Sequence, residues 1–167
     1  MPESFFIRAQ VTSTGTTFSQ TTINLGSFVD VLGQAVLTIH AVFPAYRNAG
    51  NNQPYDMGLT SDTQFATWQL TTQSQTELVG LTDKSAIASG GIMQTFDGSS
   101  DISFSSLLED PGPQDFVNGY LVAVEDIYLG MDRTTASGNE CDVDVILECS
   151  VSKMSTSKAM ALALSQQ

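Results

Sequence analysis

Basic residues are scarce. Six are present, Arg8, Arg47, Lys84, Arg133, Lys153 and Lys158, against 18 acidic residues, for a formal charge of −12 over 167 residues. A nucleic-acid binder must supply Lys and Arg to neutralise phosphates. Six scattered cations build no such patch, so direct nucleic-acid binding is excluded. The same charge repels anionic lipid headgroups, favours solubility and suits a saline surrounding. Histidine occurs once, at position 40, which excludes a multi-histidine metal centre. No apolar run approaches the ~18 residues of a membrane span, so no transmembrane segment is expected. The opening Met1–Phe6 has neither the basic start nor the apolar stretch of a signal peptide, and synthesis in the cytoplasm of the producing cell is the expectation.

Cysteine is nearly absent too. Cys141 and Cys149 fall eight residues apart on one predicted strand. At roughly 3.3 Å per residue they stand about 26 Å apart, beyond the Cα spacing of a disulfide. They are expected as buried free thiols, consistent with a reducing site of synthesis. Also missing are a Gly-x-Ser-x-Gly elbow, a Gly-x-Gly-x-x-Gly turn and a P-loop. Two cysteines and one histidine fall short of a structural zinc site. No cofactor is expected, and the chain is read as a non-enzyme.

What is present is a period of two. Residues 5–12 alternate, with apolar side chains at the odd positions. In 35–43, Ala35, Leu37, Ile39, Ala41 and Phe43 are expected on one face, with Thr38 and His40 opposite. In 65–70 the apolar face is Ala66, Trp68 and Leu70. Residues 141–151 alternate most regularly, with Asp142, Asp144 and Glu148 on the wet face. Such strands bury one face and wet the other. Tyr120–Leu129 is apolar on both faces, which predicts a central strand or one covered by a neighbouring subunit. Weaker strand signals lie at 17–25, 27–32, 76–81, 86–89, 92–96 and 101–107. Loops are expected at 48–54, 89–91, 97–100, 109–113 and 134–139, where Gly, Pro, Asn and Asp cluster.

About eight strands in one domain imply an all-β chain, an antiparallel β-sandwich or barrel. Residues 1–152 form that domain. Residues 153–167, rich in Met, Ala, Leu and Lys, form a short C-terminal helix or tail. It is expected to dock on its own domain or to fray, with a neighbouring copy as the alternative landing place.

Chemistry-bearing groups are few. His40 sits mid-strand and reads as a structural, partly buried histidine. Trp68 reads as core. Tyr46 and Tyr55 flank the Asn-rich loop and are the candidate recognition residues. Asp97 and Asp101, with Asp110 as a third oxygen donor, are candidate calcium ligands. The EF-hand pattern fails because its twelfth position is Leu108.

Taken together, the early strand at Phe5–Thr12, the Thr-, Ser- and Gln-rich acidic composition, the apolar Tyr120–Leu129, the alternating Cys141–Val151 and the short tail resemble the single jelly-roll major capsid proteins of tailless icosahedral viruses of archaea and of halophilic or thermophilic bacteria. The resemblance implies a single jelly roll and a self-assembling shell subunit in a virion. Its partners would be copies of itself in pentamer- or hexamer-like contacts, together with other virion proteins. Loops 44–62 and 108–119 are expected at subunit contacts or on the outer surface. Many such proteins of RNA viruses carry a basic N-terminal arm, whereas residues 1–12 here hold only Arg8. An internal membrane or lining proteins would then separate shell from genome. Two other readings stand beside it: a carbohydrate-binding or adhesive β-sandwich module, and a hydrolase using two carboxylates.

Overall fold

The computed structural model describes residues 3–58, 63–96, 102–105, 114–134 and 139–167. Among these, nine strands and one helix follow in order: β1 (Phe5–Thr12), β2 (Ser19–Asn24), β3 (Ala35–Asn48), β4 (Thr63–Thr71), β5 (Ala86–Phe96), β6 (Ile102–Ser105), β7 (Gln114–Val122), β8 (Asp126–Arg133), β9 (Cys141–Lys153) and α1 (Thr156–Ser165). One sheet runs β1-β9-β3-β7 and the other β2-β8-β4-β5-β6, and every pairing is antiparallel. With β6 set aside as an added edge strand, the chain is one long ribbon folded at the β4–β5 turn. The first strand pairs with the last (β1–β9), then β2 with β8, β3 with β7 and β4 with β5. The ribbon is rolled so that β9 also meets β3 and β8 also meets β4. This is a single jelly roll, an antiparallel sandwich of two sheets.

The alternation read from the sequence builds the core. Val11, Leu37, Ile39, Val143, Val145, Leu147 and both cysteines face inward from the first sheet. Ile23, Trp68, Leu70, Ile127, Leu129 and Met131 meet them from the second. Trp68 is fully buried. A Cβ on Gly90, its partner on β5, would stand 2.9 Å from Trp68 Nε1. Gly90 and Gly91 therefore lie inside a continuous strand, not in the loop expected at 89–91, because the glycine makes room for the indole.

Three further expectations are corrected. Beyond Ile39 the faces of β3 exchange. Ile39 pairs with Cys149 and Ala41 with Glu148, so His40 is an extra residue on β3. This β-bulge shifts the side-chain period by one. Val42 is buried in the core and Phe43 points outward, partly exposed, the reverse of strict alternation. Second, Tyr120–Leu129 is not one strand. It contains the end of β7, a turn at 123–125 and the start of β8. The chain crosses from one sheet to the other there, and α1 packs on Leu121 and Ala123, so contacts within the chain bury apolar side chains on both faces. Third, 27–32 and 76–81 are not strands. Residues 25–35 close as turns through Phe28 and Val29 N–H to the Leu25 carbonyl and a reciprocal Asp30–Ala35 pair. The 76–81 segment lies on the second sheet, where the Gln69 side chain donates to the Glu77 carbonyl at 3.0 Å and accepts from Val79 N–H at 2.7 Å.

Helix α1 docks on the sandwich. Ala159 is buried against Val36 and Ala123, with Leu162 and Ala163 beside it. Gln166 fastens its end. The amide donates to the Leu121 carbonyl at 2.7 Å and accepts from Ala123 N–H at 2.9 Å, and the Gln166 carbonyl accepts from Thr72 Oγ1. No helix among the described residues is long and apolar enough to cross a membrane.

Candidate functional site

The residues singled out for chemistry scatter when the chain folds. His40 sits at the β3 bulge with Nε2 2.8 Å from Ser150 Oγ. A Ser–His hydrogen bond is the beginning of an activated nucleophile, but Ser150 is itself almost fully buried. Ser150 also belongs to a run of small hydroxyls in which Thr38 and Ser152 bond each other at 2.8 Å. The arrangement joins β3 to β9. Cys141 and Cys149 are free and buried. Burial pushes each thiol up to about 12, so neither is a nucleophile near neutral pH.

Tyr46 and Tyr55 do not form a recognition surface. The β3 bulge turns Tyr46 towards the core, where it packs with Tyr55 against Met57, Ala66 and Ile92. Burial raises the Tyr46 pKa above the ordinary tyrosine range. The Trp68 indole N–H lies near enough to oppose that rise slightly, but without hydrogen-bond geometry. Tyr46 Oη and Trp68 Nε1 are thus buried polar atoms lacking a partner.

Tyr55 belongs to a cluster that sequence reading missed. Its hydroxyl accepts from Arg133 Nη1 at 3.2 Å. Arg133, almost wholly buried, also donates to the carbonyls of Gly15 (2.6 Å) and Asn139 (2.7 Å) and pairs with Glu140 at 2.9 Å. Glu140 in turn accepts from Ser13, whose oxygen takes Cys141 N–H. One guanidinium therefore binds the β1–β2, β3–β4 and β8–β9 connections at one end of the sandwich. A buried cation with its donors so occupied is structural. Only proximity in space reveals the cluster, since its members span residues 13 to 141.

The acids of β9 line its outer face as expected. Asp142 accepts from Thr12 and Asp144 from Gln10 at 2.8 Å, with Arg47 3.9 Å away. A shallow depression there, lined by Arg8, Gln10, Asp144 and Ile146, holds one carboxylate, not the close pair that glycoside hydrolysis needs. Asp97, Asp101 and Asp110 lie outside the described residues, as does 108–113 of the expected contact loop. The rest of that loop, 114–119, belongs to β7, and 44–48 of the other loop belongs to β3. Among the described residues, no cluster of three or more His, Cys, Asp or Glu stands ready for a metal.

Several large apolar side chains are also exposed. Val117 is 98% exposed on edge strand β7, Leu32 79%, Leu164 72%, Leu81 60% and Phe6 52%. Edge strand β1 offers a free backbone flank over eight residues with a single charge, Arg8. By contrast, Phe116–Gly119 of β7 loops away opposite His40, between the Tyr120–Ile39 and Asp115–Ala41 pairs.

No family model and no curated protein matches this sequence. Solved structures similar to it include an unassembled VP1 pentamer of Washington University polyomavirus, a point mutant. It is 9% identical, with 90% of this chain and 93% of that one covered, at a TM-score of 0.45. VP1 of Trichodysplasia spinulosa-associated polyomavirus in complex with sialylated glycooligomers gives 9%, 90%, 95% and 0.46. The unassembled Merkel cell polyomavirus VP1 pentamer gives 8%, 90%, 96% and 0.44. At such identity no residue role passes from those chains to this one.

Proposed function

We propose that this protein is a self-assembling shell subunit of a virus, a structural protein and not an enzyme. The observation that carries the reading is a closed jelly roll with its interior filled by side chains. The depressions among the described residues lie open on its surface, and apolar side chains stand in water on several sides. Function then lies on the outside of the sandwich. Apolar patches and open strand edges on a single-domain protein are what symmetric association buries. Residues 1–152 form the shell-building body, and 153–167 a docked appendage. Pentamer- or hexamer-like contacts, other virion proteins as neighbours, assembly in the host cytoplasm and a tailless icosahedral virion of archaeal or bacterial type complete the proposal. A calcium ion held by Asp97 and Asp101 would stiffen the shell at the β5–β6 connection. The carbohydrate-binding reading loses its nominated residues, since Tyr46 and Tyr55 point inward.

Fold alone does not fix function, so the test is direct. Concentrated protein at high salt, viewed by negative-stain electron microscopy, should show rings or closed shells of uniform diameter. Featureless monomers under all conditions, together with saturable binding to a glycan array, would replace the shell with the binding module.

A further inference from the structure

Helix α1 carries apolar side chains on its exposed side as well as its docked side, the exposed ones beside Ser157, Lys158 and Ser165. Ala159, Leu162 and Ala163 face the sandwich, while Met160, Ala161 and Leu164 face water, with Met160 48% and Leu164 72% exposed. Exposed Met and Leu side chains in one row are surface that association can bury. Its charges are also unusual. Residues 1–152 carry 18 acids and four bases, a formal −14, whereas 153–167 carry two lysines and no acid. Lys158 lies in the first helical turn, where a cation opposes the helix dipole. Neither Lys153 nor Lys158 forms an ion pair among the described residues. The other end of the helix is acidic: Glu125 and Asp126 line one depression with Ala163 and Gln167, and Asp30 lines the adjoining one with Glu125 and Leu32.

Lysines at one end, an apolar stripe in the middle and carboxylates at the other end make a self-complementary surface. We infer that α1 is a homotypic contact: the Met160–Ala161–Leu164 stripe of one copy packs antiparallel on the same stripe of a second copy across a twofold axis near Ala161. That axis sets Lys158 of one copy level with Leu164 of the other, beside the other's Glu125 and Asp126, and opposes the two helix dipoles. The occupant is a second copy because this chain itself supplies the matching charge and apolar surface in reversed order. A ten-residue helix is about 15 Å long, so the contact is smaller than a free-standing dimer interface. It works as one link among several, joining subunits already held in larger groups. The inference rests on the shell reading and names one of its contacts.

The test uses the full chain. Ala161→Cys places a thiol beside the axis, and the native cysteines are buried. Under diamide, Ala161→Cys should form a disulfide-linked dimer at least tenfold faster than Leu81→Cys, an exposed control on the other sheet. Met160→Glu with Leu164→Glu, exposed positions that leave folding intact by circular dichroism, should raise the protein concentration at which assemblies appear at least tenfold. Lys158→Glu should do likewise and be rescued by Glu125→Lys. If the wild type assembles yet Ala161→Cys crosslinks no faster than Leu81→Cys, the α1 contact is overturned and the shell reading stands. If the wild type stays monomeric and Ala161→Cys does not crosslink, both fall.

Discussion

Gly90 is where one atom decides the packing. A methyl group there meets Trp68 Nε1 at 2.9 Å, and the ring is fully buried. Gly90→Ala is expected to cost about 1–3 kcal/mol through overpacking. Gly80→Ala, where the nearest atom is 3.9 Å away, should stay within about 0.5 kcal/mol. Urea unfolding followed by Trp68 fluorescence separates the two. Arg133 concentrates more interactions. Its loss strands the carbonyls of Gly15 and Asn139, while the half-exposed Glu140 can rehydrate. Arg133→Met should therefore cost about 2–3 kcal/mol, and Arg133→Lys should recover little, because an ammonium cannot span these divergent acceptors. An unchanged midpoint in Arg133→Met would remove the cluster from the account. The thiols give a pH dependence. Both are raised from 9.0 to about 12 in the fold, so the folded state holds protons that the unfolded chain has released. Their contribution is intact below pH 9 and is lost progressively as pH rises towards 12. Tyr46, Tyr55 and Tyr120, also raised by burial, act in the same direction. The urea midpoint should fall between pH 8 and pH 10.5, and less steeply with both cysteines replaced by alanine, measured relative to that variant's own pH 8 value.

At the scale of elements, the β3 bulge makes the sharpest claim, because sequence alternation predicts its opposite. Val42→Ser should be severely destabilising, on the order of 2–4 kcal/mol, while Phe43→Ser should cost less than about 1 kcal/mol. The reverse ranking by urea titration would contradict the register. Most strands were legible because Phe5–Thr12, Ala66–Leu70 and Cys141–Val151 each alternate apolar with polar residues. The bulge was not, since in Ala41-Val42-Phe43 both faces are apolar and one extra residue leaves no mark in composition. Gly90-Gly91 carries the same letters whether it turns the chain or admits a neighbouring ring. The 76–81 segment has a strand's residues, but its backbone partner is the Gln69 side chain. The tail was legible as a helix from its composition. Its fastening was not, because Gln166 meets Leu121 and Ala123 only in space. Gln166→Ala leaves the Ala123 N–H and the Leu121 carbonyl unpaired and should cost about 1–3 kcal/mol, with faster amide exchange across α1.

For the whole molecule, the sandwich could be foreseen but its strand order could not. Hydrophobic period fixes which face of a strand is buried, not which strand lies beside it. The charge was plain in the sequence; its division into an acidic body and a basic helix acquires meaning only when Glu125 and Asp126 appear beside the far end of α1. Copies each carrying −12 repel one another until salt screens them, with a Debye length of about 10 Å at 0.1 M and about 3 Å at 1 M. Assembly, driven by burial of apolar surface, is therefore expected to strengthen with salt. The measurement that tests this most directly is molar mass by light scattering after size exclusion, at 0.05 and 1 M salt and over a range of protein concentrations. Self-assembly predicts discrete multiples of the 17.8 kDa chain that grow as salt rises. A monomer of 17.8 kDa at every salt and concentration would contradict it.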